Sequence, residues 1–134
     1  MADLQLLRDR YVNDSIHTAS PARLLLMLLD RLCLDLEIAE AALGVADLAT
    51  SSQRLVHAQD IVFELQSSLD HTVWDAAGQL TELYAFVLRL LIEANVAKDP
   101  VIVGTCRRLV EPLRDAWHAA ARLQHTTQPL STSA

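Results

Sequence analysis

Five histidines, two cysteines and seventeen carboxylates are the side chains of this 134-residue sequence that could do acid–base, nucleophilic or metal chemistry. Their spacing assembles none of it. His17, His57, His71, His118 and His125 are scattered, and none lies three residues after a glutamate. The Glu-x-x-His pair of carboxylate-bridged di-iron bundles is therefore missing. Cys33 and Cys106 stand far apart, and no Cys or His cluster has zinc-ligand spacing. There is no glycine-rich phosphate loop, and no nucleophile is paired with a base at a recognisable spacing. His57 and Asp60 share a helix face at i,i+3 and read as a solvated surface pair. The two cysteines fall in or beside apolar stripes and read as small apolar residues rather than as ligands or redox partners. The chemistry-bearing residues thus point to a protein that is not an enzyme and needs no cofactor or metal.

Composition narrows the class further. Eleven Lys plus Arg against seventeen Asp plus Glu give a net charge of −6, which offers no electrostatic footprint for nucleic acid or an anionic membrane. A hydrophobic content of 51% suits one packed domain of this length rather than a disordered chain. Two cysteines are too few for a secreted disulfide scaffold. Met1 to Gln5 carries no basic region leading into a long apolar run, so no signal peptide is expected. The longest strongly apolar run, Leu24 to Leu29, stops at Asp30, far short of the ~20 residues that span a bilayer. A reducing cytoplasm is the expected compartment, with no membrane insertion.

The elements that would position these side chains are helices. Only three glycines and four prolines occur, mostly at breaks, and the apolar spacing between them is helical. In Thr18-Ala19-Ser20-Pro21, Ser20 is the expected N-cap and Pro21 the first helical residue. This first helix runs to about Leu43, with Gly44 as a left-handed C-cap, and buries Leu25, Leu28, Leu32, Leu36, Ala39 and Leu43. A second helix follows Thr50-Ser51-Ser52 with the stripe Leu55, Ala58, Val62, Leu65 and Leu69. A third starts near Asp75 and carries Leu80, Leu83, Val87, Leu90 and Ala94. A fourth opens at Asp99-Pro100, carries Cys106, Leu109, Leu113, Trp117 and Ala120, and should kink at Pro112. The predicted fold is all-α: an antiparallel up-and-down four-helix bundle over 18–125, with a short N-terminal helical cap over 1–17 and a flexible tail over 126–134.

The first helix holds more apolar residues than one stripe requires. With its polar face centred on Asp30, Arg23 and Glu37, the residues Leu26, Met27, Cys33 and Leu34 fall within about 60° of that centre. Val56 and Phe63, seven apart on the second helix, also lie off the main stripe. Such surface suits a groove for a foreign apolar segment. Alternatively, the N-terminal segment or a homodimer covers it. Leu4, Leu7 and Tyr11 make a short amphipathic turn or two that needs a surface to dock on, either as a detachable cap or as a fixed lid.

In order and spacing these features resemble the flagellar secretion chaperones specific for flagellin. The resemblance runs from Tyr11, Asn13, Ser15 and Ile16 through Thr18-Ala19-Ser20-Pro21 to Met27-Leu28-Leu29-Asp30. It continues in Ala58-Gln59-Asp60-Ile61-Val62 with Glu64-Leu65, in Leu83-Tyr84 and Glu93-Ala94-Asn95, and in Leu113-Arg114-Asp115-Ala116-Trp117. Departures are Leu29 where an aromatic is usual, Phe86 as the second aromatic of the third helix, and Arg89 as that helix's sole arginine. The resemblance implies a chaperone that binds the disordered C-terminal segment of flagellin in the cytoplasm, blocks premature polymerisation and delivers it to the flagellar type III export apparatus. It implies a role for Tyr11 in client capping and in docking on an export gate component. Leu7, Tyr11, Ile16, Leu26, Met27, Leu34, Val56, Phe63 and Tyr84 are the expected partner-binding residues. A bundle adaptor or regulator that sequesters a different helical partner is the alternative.

Overall fold

The computed structural model describes residues 20–69 and 77–127, with the side chains of the last helix described as far as Leu123. The proposed cap over 1–17 lies outside the described residues. Of the proposed tail over 126–134, residues 126 and 127 continue the last helix, while 128–134 lie outside the described residues. Four helices follow in order: α1 (Pro21–Gly44), α2 (Leu48–Ser67), α3 (Ala77–Ala97) and α4 (Pro100–Thr127). The start of α1 follows from its sequence: Ser20 is extended, and its hydroxyl oxygen accepts a 3.2 Å hydrogen bond from the Arg23 N–H. Pro21, which has no N–H to offer, occupies the first helical position.

The end of α1 departs from expectation. Gly44 remains helical, and Ala46 takes the left-handed conformation with φ 60°. The Asp47 N–H reaches back to the Ala42 carbonyl at 2.8 Å and the Ala46 N–H to that of Leu43 at 3.2 Å, a Schellman closure of the helix. Asp47 then turns round and caps α2, accepting from the Thr50 N–H at 3.2 Å. So α2 begins at Leu48, ahead of Thr50-Ser51-Ser52, and those residues sit in its first turn. The same device recurs between α3 and α4. Lys98 is left-handed with φ 55°, the Asp99 N–H bonds the Ala94 carbonyl at 3.3 Å, and the Asp99 carboxylate accepts from the Val101 N–H at 2.9 Å. Turns this short force each helix pair antiparallel.

The helices form a closed square: α1 packs on α2, α2 on α3, α3 on α4, and α4 on α1. The α1–α4 register is antiparallel, because Asp30 meets His118 while Glu40 meets Arg107. The core holds Leu29, Leu32, Leu36, Leu55, Ile61, Leu65, Val87, Leu91, Val103 and Val110. Each such burial is worth roughly 1.5–3 kcal/mol.

Sequence periodicity places most of the stripes but misjudges their widths. Cys33, expected to face outward, is only 1% exposed. The reason is that α1 touches two neighbours, so its buried arc spans about half its circumference, from the Ala42 side to the Cys33 side. On α3, Tyr84 and Leu91 are core while Leu83 and Leu90 are half-buried. On α4, Val103, Cys106 and Val110 are core, Leu109, Leu113 and Trp117 only pack against it, and Ala120 is exposed.

Candidate functional site

An open apolar groove of about 450 Å³ lies between the start of α3 and the last turns of α4. Gln79, Leu80 and Leu83 line it from α3, and Leu113, Ala116, Trp117 and Ala120 from α4. Helical spacing explains the set: residues 80 and 83 are one turn apart, as are 113, 116–117 and 120, so each group shares one face. Leu83, Leu113 and Trp117 are half-buried walls, and the short side chains of Ala116 and Ala120 leave the hollow between them. Only Gln79 brings a polar side chain. The described lining of the groove is therefore almost entirely apolar.

The charged groups lie elsewhere and hold α1 to its neighbours. Asp35 of α1 is fully buried, and its carboxylate accepts from Arg54 Nη1 at 3.2 Å and pairs with His57 Nδ1 of α2. Arg31 Nε stands 3.8 Å away. A carboxylate out of water survives only with such partners. The Arg54 Nε is buried with no hydrogen-bond partner. His57 is thus part of an interhelix clasp, which corrects its reading as a solvated surface pair. Between α1 and α4, Arg107 donates to Glu40 at 2.6 Å and to Glu111 at 3.0 Å, with Glu37 at 3.6 Å, and these acceptors push its guanidinium pKa up. Gly104 sits beside this cluster, and a Cβ there would stand 3.0 Å from Glu40 Oε2.

The buried thiols are chemically quiet: desolvation pushes Cys33 up to about 11 and Cys106 up to about 12, so neither is a thiolate near neutral pH. Among the described residues, no group of three or more His, Cys, Asp or Glu is placed to hold a metal, and no helix is long and apolar enough to cross a membrane.

The structure disperses the sequence-predicted partner residues. Leu7, Tyr11 and Ile16 lie outside the described residues. Leu26 and Met27 are half-buried at the edges of the α1 contact face. Leu34, Val56 and Phe63 are 42%, 47% and 53% exposed on the outer faces of α1 and α2. Tyr84 does not belong with them: it is 2% exposed in the core, and burial pushes its phenol up to about 12. The groove contains none of the predicted partner residues. Leu83, Leu113 and Trp117 were legible as apolar helix positions, but taken as stripe they gave no sign of lying at an opening. The signals available were the small Ala116 and Ala120 beside Trp117, and Pro112 just before them.

Comparison with known proteins agrees with this architecture. A family described as "Flagellar protein FliS" matches residues 4–124. The flagellar secretion chaperone FliS of Bacillus subtilis (strain 168) is 28% identical over 110 residues, covering 82% of each chain. That of Vibrio cholerae is 27% identical over 115 residues, covering 85% of each. That of Salmonella typhimurium is 29% identical over 108 residues, covering 79% of this chain and 80% of the relative. A crystal structure of a bacterial flagellar chaperone superposes with a TM-score of 0.71 at 20% identity, covering 90% of this chain and 98% of the other, so the two share the fold.

Proposed function

The chain belongs to the FliS family of flagellar secretion chaperones, and on that premise we propose that it binds the disordered C-terminal region of flagellin in the cytoplasm, prevents premature polymerisation and delivers the client to the flagellar type III export apparatus. The family is one of chaperones, not of enzymes. The observation that carries the finer reading is the open apolar groove lined by Leu80, Leu83, Leu113 and Trp117. A disordered client loses conformational entropy on binding, so its chaperone must offer much apolar surface to compensate. The groove supplies one deep contact. Leu34, Val56 and Phe63 supply further exposed apolar side chains along which an extended client can lie, with Leu26 and Met27 at their margin. Leu7, Tyr11 and Ile16 of the N-terminal segment belong to the same proposal, as contacts for client and for the export gate component.

Calorimetric titration with the C-terminal segment of flagellin from the same genome tests this. One-to-one binding with a clearly negative heat-capacity change is expected, because apolar area leaves water. Absence of binding at concentrations on the order of tens of micromolar would sink the flagellin reading and leave a bundle that holds some other helix.

A further inference from the structure

We propose that the width of the α3–α4 groove is set by a hinge at Pro112 and a latch between Asp30 and His118, so that the last part of α4 is a movable wall deciding how bulky a segment the groove admits. This rests on the reading of the groove as the client's seat. Four observations carry it. Pro112 lies inside α4, where it has no N–H to give the Arg108 carbonyl and its ring crowds that carbonyl. Every residue that α4 contributes to the groove, from Leu113 to Ala120, follows Pro112. Every buried side chain of α4 among the described residues (Val103, Cys106, Val110) precedes it, as do Gly104 and the Arg107 cluster. Beyond the hinge, α4 meets α1 through His118 Nε2 and Asp30 Oδ1 at 2.7 Å, with side chains 35% and 50% exposed.

Burial separates the two halves. Lifting the first half off the core would expose the buried side chains of Val103, Cys106 and Val110 to water. Releasing the partly exposed Asp30–His118 contact uncovers no fully buried side chain of α4. Leu113 and Trp117 are already half-exposed, and a client inserted beside them replaces the apolar contacts they give up. Motion therefore concentrates after Pro112.

The test is a pair of spin-label distances in the full chain. One pair, at Glu82 and Arg122, spans the groove end without lining it; the other, at Glu93 and Arg108, spans the same two helices before the hinge. In the client-free protein the Glu82–Arg122 distribution should be broad, narrow in Pro112→Ala and broaden further in Asp30→Asn, with Glu93–Arg108 unchanged throughout. Addition of the flagellin C-terminal segment should lengthen the first distance only, and Pro112→Ala should weaken that binding about tenfold by depleting the open state. Identical distributions in the parent and Pro112→Ala, or equal shifts of both pairs, would overturn the hinge. If the segment fails to bind at all, the client reading falls, and the client-free distributions still decide the hinge.

Discussion

Before Pro112, α4 turns Val103, Cys106 and Val110 into the core, and Arg107 gathers Glu37, Glu40 and Glu111 around it. After Pro112, the same helix leaves Leu113 and Trp117 half-covered, exposes Ala116 and Ala120, and meets α1 through Asp30 and His118. The backbone is helical on both sides, so secondary structure does not separate them. Packing does. Where Arg107 ties α4 to Glu40 of α1, the stripe of Val103, Cys106 and Val110 is buried in the core. Where α3 and α4 part, the continuation of that stripe is left for something else. On the proposed reading, the bundle gains its client surface by packing one end of a helix less completely than the other.

The most severe way to break this contrast is to put a charge on each half. Val110→Asp buries an unpaired carboxylate, worth several kcal/mol, and should abolish the cooperative thermal transition. Leu113→Asp, three residues on but at the groove wall, should keep the transition and lose client binding; circular dichroism and calorimetry read the two together. If both variants unfold, the distal half is core after all. Next in size is the clasp on the other side of α1. Asp35→Ala leaves Arg54 and His57 facing a buried void, and should cost about 3–5 kcal/mol in urea unfolding without altering the groove.

Buried acids add a pH dependence to the stability of the bundle, since Cys33, Cys106 and Tyr84 are all buried. Their folded values lie near 11, 12 and 12, above ordinary values of 9.0, 9.0 and 10.0. The folded state therefore holds these protons more tightly than the unfolded chain. That stability is complete below about pH 9 and is lost as pH climbs toward the folded values, by about 2–3 kcal/mol at pH 10. Replacing both cysteines by alanine should flatten most of the slope in pH-dependent denaturation. Trp117→Ala should reduce client affinity by about 2 kcal/mol, as an aromatic anchor does, with a smaller change in thermal midpoint. The smallest effect belongs to the two turns: Ala46→Gly and Lys98→Gly relieve left-handed backbone and should each raise stability by about 0.5–1 kcal/mol, leaving client binding unchanged.

Much of the fold was legible along the chain. Ser20-Pro21 and Asp99-Pro100 mark helix starts because a capping oxygen and a missing N–H are local facts. The stripe Leu55, Ala58, Val62 and Leu65 is buried as its spacing predicts. What misled were features that depend on neighbours. Gly44 is the residue best suited to a left-handed cap, yet the Schellman closure falls on Ala46, since Asp47 must serve both as the end of α1 and as the cap of α2. Cys33 lies on a face that looks outward on an isolated wheel and inward once α4 is present.

Sequence by itself determined the helices, their order, the short links that make neighbours antiparallel, and a family resemblance carried by motifs along most of the chain. Those follow from local hydrogen-bond needs and from a period of 3.6 residues. Tertiary structure alone decided which apolar residues were left over. Tyr84 and Leu83 are adjacent in sequence, one in the core and one on a groove wall. Exposure depends on how neighbouring helices pack, and residues far apart in the chain decide it: Leu83 of α3 shares the groove with Leu113 and Trp117 of α4, while Tyr84 turns into the core.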